Sequence, residues 1–253
     1  MISLSEAQLA AWISPIFWPF IRVLAVFTLA PVFSSRAFTT RARVALAFLI
    51  ALASQAGLPQ AQIVGFNDPG ALGVLMQEVG VGLCIGFAVR LVFTAVELAG
   101  EVVGFQMGLN FASFFDPSLN SQSSAVGRFF TQITSLLFVV MNGHLMVLMA
   151  VNKSFVAFPV GGNFLKTLAQ MKLYTLGTQI FSSALWIAMP MMGMLMFSNL
   201  AMGIISRVAP QMNIFAIGFP VTLLVGLVGI AFTLPMLDQP FITLMGQVME
   251  IFG

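Results

Sequence analysis

The amino-acid sequence predicts an all-α membrane protein. Charged residues make up 7% of the 253 residues and hydrophobic residues make up 59%, with a mean hydropathy of +1.02. A soluble domain carries roughly 25% charged residues, so this chain lacks the polar surface to enclose a core in water. Its apolar stretches do not alternate with polar residues as β-barrel strands do, and helices are the other structure that pairs every backbone group in lipid.

The hydrophobic pattern divides the chain into helical segments without a linker between them, so we predict one membrane unit. A spanning helix needs about 20 apolar residues. Stretches of this length run at about 10–33, 71–99, 129–151, 176–205 and 214–236, with shorter ones at about 44–58, 102–115 and 241–252.

The first helix is predicted to begin at a capping box, in which Ser3 and Glu6 pair with backbone N–H groups. Pro15 and Pro19 predict that this helix kinks or breaks into two pieces. The segment at about 44–58 is short for a span, which favours an interfacial helix or one half of a hairpin.

A basic cluster follows the first helix, and either a solvated loop or a specific contact explains it. Such clusters favour the cytoplasmic side of a membrane. Its members are Arg36, Arg41 and Arg43.

Three charged residues form a stripe inside an apolar segment. On a helix, Arg90, Glu97 and Glu101 fall within about 40° of one another. Because a charge facing lipid is expensive, the stripe is predicted to face protein or water. The stripe is either a buried charge network that fixes helix packing or an ion pathway. An ion pathway would indicate a small secondary transporter.

Glycines recur every fourth residue in the same region. Gly82 and Gly86 predict close packing of two helices. Gly100, Gly104 and Gly108 predict either the same packing or the start of a re-entrant, pore-lining loop. The loop is the second possibility because Asp116-Pro117 ends a helix and a polar run follows it.

The remaining polar positions predict structural roles. We expect His144 to be a core histidine hydrogen-bonded with Asn142, while a membrane enzyme that uses His144 is a weaker alternative. Residues 176–236 predict a helical hairpin with its tip near 206–213. The tip residues are Arg207, Pro210 and Asn213.

The sequence does not predict an enzyme. The sequence carries no phosphate-binding loop, no zinc-protease pattern and no nucleophile with a partner histidine, so neither catalysis, nor a cofactor, nor a metal is expected. Cys84 is the single cysteine, which excludes an intrachain disulfide. The net charge of +2 is too small and too scattered to favour nucleic acid.

Several motifs, in order along nearly the whole chain, resemble the FliR family of flagellar biosynthetic proteins. They are Phe17-Trp18-Pro19 with Arg22-Val23-Leu24, Gly100–Ala112 with Asp116-Pro117, Asn142–Leu145, Ser154-Phe155, Ala209–Phe215 and Ile217–Pro220.

This resemblance implies an export-gate subunit of the flagellar type III secretion system. In such a gate, kinked helical hairpins form part of a helical hetero-oligomeric cone with several copies of FliP and FliQ, and unfolded flagellar subunits pass through its centre. A larger partner, FlhB, binds the assembly. The implied location is the bacterial inner membrane at the flagellar basal body, with much of the complex above the membrane plane, toward the periplasm. The implied division is a FliP-like part at about 1–125 and a part at about 126–253 that ends in a FliQ-like hairpin.

The resemblance also implies a channel plug in the central loop. A glycine-rich loop filled with phenylalanine and methionine closes a bore without binding water. Its residues here are Gly104, Phe105, Gln106, Met107, Gly108, Leu109, Asn110, Phe111, Phe114, Phe115, Asp116 and Pro117.

Overall fold

A computed structural model describes residues 6–55, 65, 68–109, 124–162, 166–167, 169, 171, 174–211 and 214–252. This part of the chain is helical, as predicted. The helices are α1 (Glu6–Leu29), α2 (Pro31–Ser34), α3 (Thr40–Ser54), α4 (Ala71–Gln106), α5 (Ala125–Val140), α6 (Gly143–Ala157), α7 (Tyr174–Val208), α8 (Ile214–Thr233) and α9 (Asp238–Glu250), with a 3₁₀ turn at Leu234–Met236.

Four helices are long and apolar enough to cross a membrane, namely those that contain Ala10–Leu29, Ala71–Gln106, Tyr174–Val208 and Ala216–Met236. A fifth candidate is the sharply bent pair α5 and α6. At 1.5 Å per residue, α4 is about 54 Å long, which exceeds the roughly 30 Å of a hydrocarbon core. The chain is therefore an all-α membrane protein whose longest helices extend beyond a bilayer or tilt within it.

Helix α1 passes through both prolines without a break. Pro15 and Pro19 lie inside one 24-residue helix, so of the two alternatives the break into separate pieces is wrong and the kink stays a prediction. Each proline removes one backbone hydrogen bond, but Ser14, Trp18 and Val23 are buried on either side, and their packing holds the helix. The capping box at Ser3 lies outside the described residues.

The described residues form two compact units. The first draws on Met1–Leu91, Val139–Gly177 and Met245–Gly253, and the second on Val92–Phe138 and Thr178–Leu244. Both units take residues from both halves of the chain. The division at about residue 125 concerns likeness to two partner families, and it stays a prediction.

Each unit has its own apolar core. In the first, α3 packs against α1 through Ala47 and Ala51, both fully buried, and Phe27 stacks on Phe33 with ring centroids 4.3 Å apart. In the second, the ring of Phe93 meets Phe138 at 5.5 Å and Phe241 at 6.0 Å, edge to face. Aromatic pairs in this geometry add about 0.5–1.5 kcal/mol each beyond the area they bury.

The close approach predicted at Gly82 and Gly86 is confirmed. A Cβ atom on Gly82 would overlap the Arg22 carbonyl and lie 2.7 Å from Ala25 Cβ. A Cβ on Gly86 would lie 2.8 Å from the Val26 carbonyl oxygen. These two glycines therefore let the α4 backbone lie directly against α1.

The hairpin predicted in the C-terminal part is also present. A Cβ on Gly229 of α8 would lie 3.0 Å from Met194 Cε of α7. Gly229 and Met194 are almost equally far along the chain from the connection at 209–213, so α7 and α8 run antiparallel. Arg207 is exposed in the last turn of α7 and Pro210 is exposed in the turn, while Asn213 lies outside the described residues.

Two glycines of α4 provide a matched test of this packing. We expect Gly82→Ala to lower stability by about 1–3 kcal/mol, because the methyl group forces two backbones apart. Gly73→Ala on the same helix meets nothing within 4 Å, so it should be neutral or stabilising by up to about 1 kcal/mol. Thermal unfolding of the detergent-extracted protein measures both; equal midpoints for the two variants would contradict the close approach.

Candidate functional site

The first unit contains a fully buried ion pair between α1 and α4. Arg22 Nε lies 2.8 Å from Glu78 Oε2, and Arg22 Nη2 lies 2.8 Å from Glu78 Oε1, with both side chains 0% exposed. This is the bidentate geometry in which a guanidinium and a carboxylate interact most strongly. Two charges from positions 56 residues apart thus neutralise each other inside an apolar core.

The other donors of Arg22 are directed at α6. Nη1 donates to Ser154 Oγ at 3.0 Å, and Nη2 donates to the Phe158 carbonyl at 2.8 Å. The guanidinium carbon lies 4.1 Å from the centroid of the Phe155 ring, within range of a cation–π interaction. The Arg22 side chain therefore joins three helices. Its buried guanidinium has a carboxylate and further hydrogen-bond acceptors, as a stable buried ion pair requires.

The neighbouring Gln77 extends this polar cluster. It is fully buried, and its amide nitrogen donates to the Pro159 carbonyl at 2.8 Å. Its carbonyl oxygen Oε1 is buried and has no hydrogen-bond partner among the described residues. Two adjacent side chains of α4 thus hold the residues that follow α6. Gln77 binds the Pro159 carbonyl directly, and Glu78 acts through Arg22, which binds the Phe158 carbonyl.

Sequence reasoning did not find this pair. The charged residues that the sequence singled out are placed differently: Arg90 is exposed, and Glu97 and Glu101 are half-buried. The signal for Arg22 and Glu78 was available, because each is an ionisable residue inside an apolar helix and such residues need a partner. Their separation along the chain hid the pairing.

Glu101 of α4 caps the N-terminus of α5 in the second unit. Its Oε1 accepts the backbone N–H of Ser124 at 2.6 Å, and Ser124 Oγ accepts the N–H of Gly127 at 2.9 Å. A carboxylate and a serine hydroxyl at this position satisfy the free N–H groups of a helix start and complement its dipole. A Cβ on Gly127 would overlap this carboxylate, so the glycine provides the space for it.

The end of α4 is a glycine cap within the predicted plug. Gly108 has φ = 80°, its N–H donates to the Phe105 carbonyl at 3.1 Å, and the Leu109 N–H donates to the Gly104 carbonyl at 3.2 Å. These bonds form the Schellman motif that ends helices. The helix therefore stops at Gln106. Asp116-Pro117, which the sequence predicts to end a helix, lies outside the described residues.

The same turn is anchored on the C-terminal hairpin. Met107 is fully buried, and a Cβ on Gly226 of α8 would overlap its side chain. Thr222 Oγ1 lies 3.4 Å from the Met107 carbonyl oxygen, to which it donates. Phe105 is exposed and Gln106 half-buried beside it.

The rest of the predicted plug lies outside the described residues. It comprises Asn110, Phe111, Phe114, Phe115, Asp116 and Pro117. The residues on either side of this part are described, and the last turns of α4 lie against the start of α5: a Cβ on Gly104 would lie 3.0 Å from Ser124 Oγ. We name this contact between the end of α4 and the start of α5 the clasp (Gly104, Met107, Gly108, Glu101 and Ser124).

Asn142 and His144 occupy the break between α5 and α6. Asn142 is exposed, has φ = 56° and ψ = 31°, and its side chain makes no capping hydrogen bond. His144 is half-buried, and no hydrogen bond links the two side chains in the described part of the chain. Asparagine tolerates the left-handed conformation better than most residues, so its contribution here is to the backbone of the bend.

Ionisable side chains do not gather into a metal site in the described part of the chain. Groups of three or more His, Cys, Asp or Glu able to hold a metal ion are absent among these residues. The buried carboxylate, Glu78, is already paired with an arginine. The contacts described above hold helices together.

The fold and its buried contacts define a membrane-embedded helical protein. The chain matches the family described as bacterial export proteins, family 1, over residues 13–248 and belongs to that family. It is 37% identical to the flagellar biosynthetic protein FliR of Pectobacterium carotovorum subsp. carotovorum and 36% identical to that of Escherichia coli K12, each over 95% of this chain and 92% of the relative. The FliR of Bacillus subtilis 168 is 28% identical over 83% of this chain and 82% of its own length.

Membership of this family supports a role in the flagellar export apparatus and a location in a membrane. The family is one of export components rather than enzymes. The resemblance drawn from the motifs is thereby confirmed.

A double-mutant cycle tests the buried pair. Arg22→Met and Glu78→Met should each lower stability by about 3–5 kcal/mol, because each leaves one charge buried without its partner. The double variant should recover part of that loss, since two thioether side chains need no partners. Unfolding midpoints in detergent give the coupling energy.

The control for this cycle is Arg128→Met, at an exposed position at the start of α5, which should stay within about 0.5 kcal/mol of wild type. Single variants at positions 22 and 78 that unfold like this control would show that the pair does not stabilise the unit.

Proposed function

We propose that this chain is an export-gate subunit of the flagellar type III secretion system. It assembles with several copies of FliP and FliQ, binds FlhB, and forms with them the inner-membrane channel for unfolded flagellar subunits. The family supports the export role, and the observation that carries the channel role is the clasp, which joins the last turns of α4 to the start of α5 on either side of the glycine- and phenylalanine-containing segment.

The fixed residues on either side of this segment suit a plug. A glycine cap and a buried methionine precede it and a capped helix start follows it, so the flanking helices have anchors of their own. The phenylalanines of the segment exclude water and ions from a narrow bore, and hydrophobic constrictions gate by dewetting. We propose that Gly104–Pro117 closes the channel at rest and that its part beyond the clasp yields when a substrate arrives.

The surface of the hairpin supports assembly with partners. Within the most apolar windows of the candidate spans, 33% of the residues in α7 and 28% in α8 are buried inside the chain. Asn199 is exposed on α7 and makes no hydrogen bond among the described residues. An amide in the membrane finds partners on other helices, so we propose that neighbouring subunits cover this face.

The charged stripe on α4 fits the same proposal. Arg90 is exposed, and Glu97 and Glu101 are half-buried in the single chain. A charge exposed on a membrane helix faces protein or water rather than lipid. We propose that the assembled gate covers the stripe with a neighbouring subunit or a hydrated cavity.

The hairpin tip and the FliQ-like region belong to the same assembly. Arg207 and Pro210 are exposed at the end of the hairpin, where a neighbouring subunit can contact them. We propose that the part from about 126 onward provides the FliQ-like contacts and that the part before it provides the FliP-like contacts and the plug.

Co-expression tests the assembly. We expect the full chain to co-purify with FliP and FliQ as a complex of fixed mass, because the exposed apolar face of its hairpin is proposed to contact neighbouring subunits. Native mass spectrometry of the extracted complex measures the composition. A full chain that remains monomeric and monodisperse while FliP and FliQ assemble without it would contradict the proposal.

Substitution of the plug phenylalanines tests the gating. Changing Phe111, Phe114 and Phe115 together to serine should leave the complex assembled but make the inner membrane permeable to ions, because hydroxyl groups let water enter the bore. The matched change of the same residues to leucine keeps the segment apolar and should stay tight.

Ion flux into cells that express each complex measures the leak, and co-purification confirms that each complex has assembled. If the assembled serine variant is as tight as the leucine variant, this segment does not close the channel.

A further inference from the structure

An apolar groove with an arginine at one end lies between α1 and α3 in the first unit. Its volume is about 520 Å³. It is lined by Phe20, Thr40, Arg41, Val44, Ala45 and Phe48.

The lining residues of α3 lie on one face of that helix. From Thr40 the positions follow at spacings of one, three, one and three residues, which places them in a single stripe. Helix α3 runs back along α1, since the rings of Phe20 and Phe48 are 6.3 Å apart while Arg43 Nε donates to the Phe33 carbonyl at 3.1 Å. The groove therefore runs for about 12 Å from the charged start of α3 to its apolar middle.

The charged end of the groove lies next to the end of a candidate membrane span. The span in α1 ends at Leu29, and α3 begins eleven residues later. A membrane interface is expected near the end of a span, so Arg41 lies where lipid headgroups are and Phe48 lies deeper, at the level of acyl chains.

The arginine is available for a ligand. Arg41 is exposed and makes no hydrogen bond or ion pair with any other described residue, whereas Arg43 is half-buried and already bound to the Phe33 carbonyl. Arg36 is exposed as well. No Asp or Glu occurs between Glu6 and Asp68, so nothing acidic in this stretch of sequence balances these charges.

We propose that this groove binds an anionic phospholipid. Its phosphate group pairs with the Arg41 guanidinium, and one acyl chain lies along Phe20, Val44 and Phe48. The groove and the lipid are complementary: the charged end of the groove meets the headgroup, and its apolar side chains meet the acyl chain. Basic residues next to a membrane span attract anionic lipids, each contributing to binding near the surface.

Lipid binding to the extracted protein tests this assignment. The full chain, together with any subunits that are extracted with it, is incubated with phosphatidylglycerol or with phosphatidylcholine of the same acyl chains, and bound lipid is counted by native mass spectrometry. We expect phosphatidylglycerol to be preferred. Arg41→Gln should weaken its binding about fivefold, and Arg41→Lys should keep most of the preference.

Two further variants separate the groove from general surface charge. Ala45→Trp fills the groove from an exposed position and should reduce binding of both lipids, because the acyl chain loses its place. Arg128→Gln removes an exposed arginine outside the groove and should bind like wild type.

Equal binding of the two lipids by wild type would overturn the proposal. So would an Arg41→Gln variant that binds phosphatidylglycerol as the Arg128→Gln control does. Efficient cross-linking of an Ala45→Cys variant to a co-purifying protein would show that a protein helix occupies the groove instead, and that result would overturn the proposal too.

Discussion

The burial of Arg22 is the constraint on which the first unit depends. A guanidinium that is 0% exposed in an apolar protein requires a carboxylate and further acceptors, and α4 and α6 provide them through Glu78, Ser154 and the Phe158 carbonyl. This requirement fixes the three helices relative to one another, because the bidentate geometry tolerates little displacement. Gly82 is one helical turn beyond Glu78, and its lack of a side chain lets α1 come close enough for the pair to form.

The regularly spaced glycines of α4 have two different structural roles, close helix packing and helix termination. Gly100 and Gly104 remove side chains where α5 crosses, since a Cβ on either would approach a neighbouring atom to 3.0 Å. Gly108 continues the same register but takes φ = 80° and ends the helix. Close packing and termination both need a residue without a Cβ, for different reasons. Together with Glu101 of α4, whose carboxylate caps the start of α5, Gly100 and Gly104 hold the last turns of α4 against α5.

Two kinds of neighbour are proposed for the surface of the chain. Helices α7 and α8 expose large apolar side chains together with the Asn199 amide, which suits a protein interface better than lipid alone. The groove between α1 and α3 has a different pattern, with one unopposed arginine at its interface end and apolar residues behind it. Subunit contact and lipid contact are thus proposed for different elements.

The sequence by itself determined the membrane class, the long helices, the antiparallel hairpin and the close packing at Gly82 and Gly86. These features depend on composition and on periodicities within one helix, which are local properties of the chain. Sequence reasoning placed the charge network on Arg90, Glu97 and Glu101 because those residues share one helix face, whereas the ion pair that is buried joins Arg22 to a residue 56 positions away. Only the tertiary structure could select Glu78 as the partner of Arg22, assign Glu101 to the start of α5 and end α4 at Gly108. Each of these depends on which helix lies alongside, and that is decided by packing across distant parts of the chain.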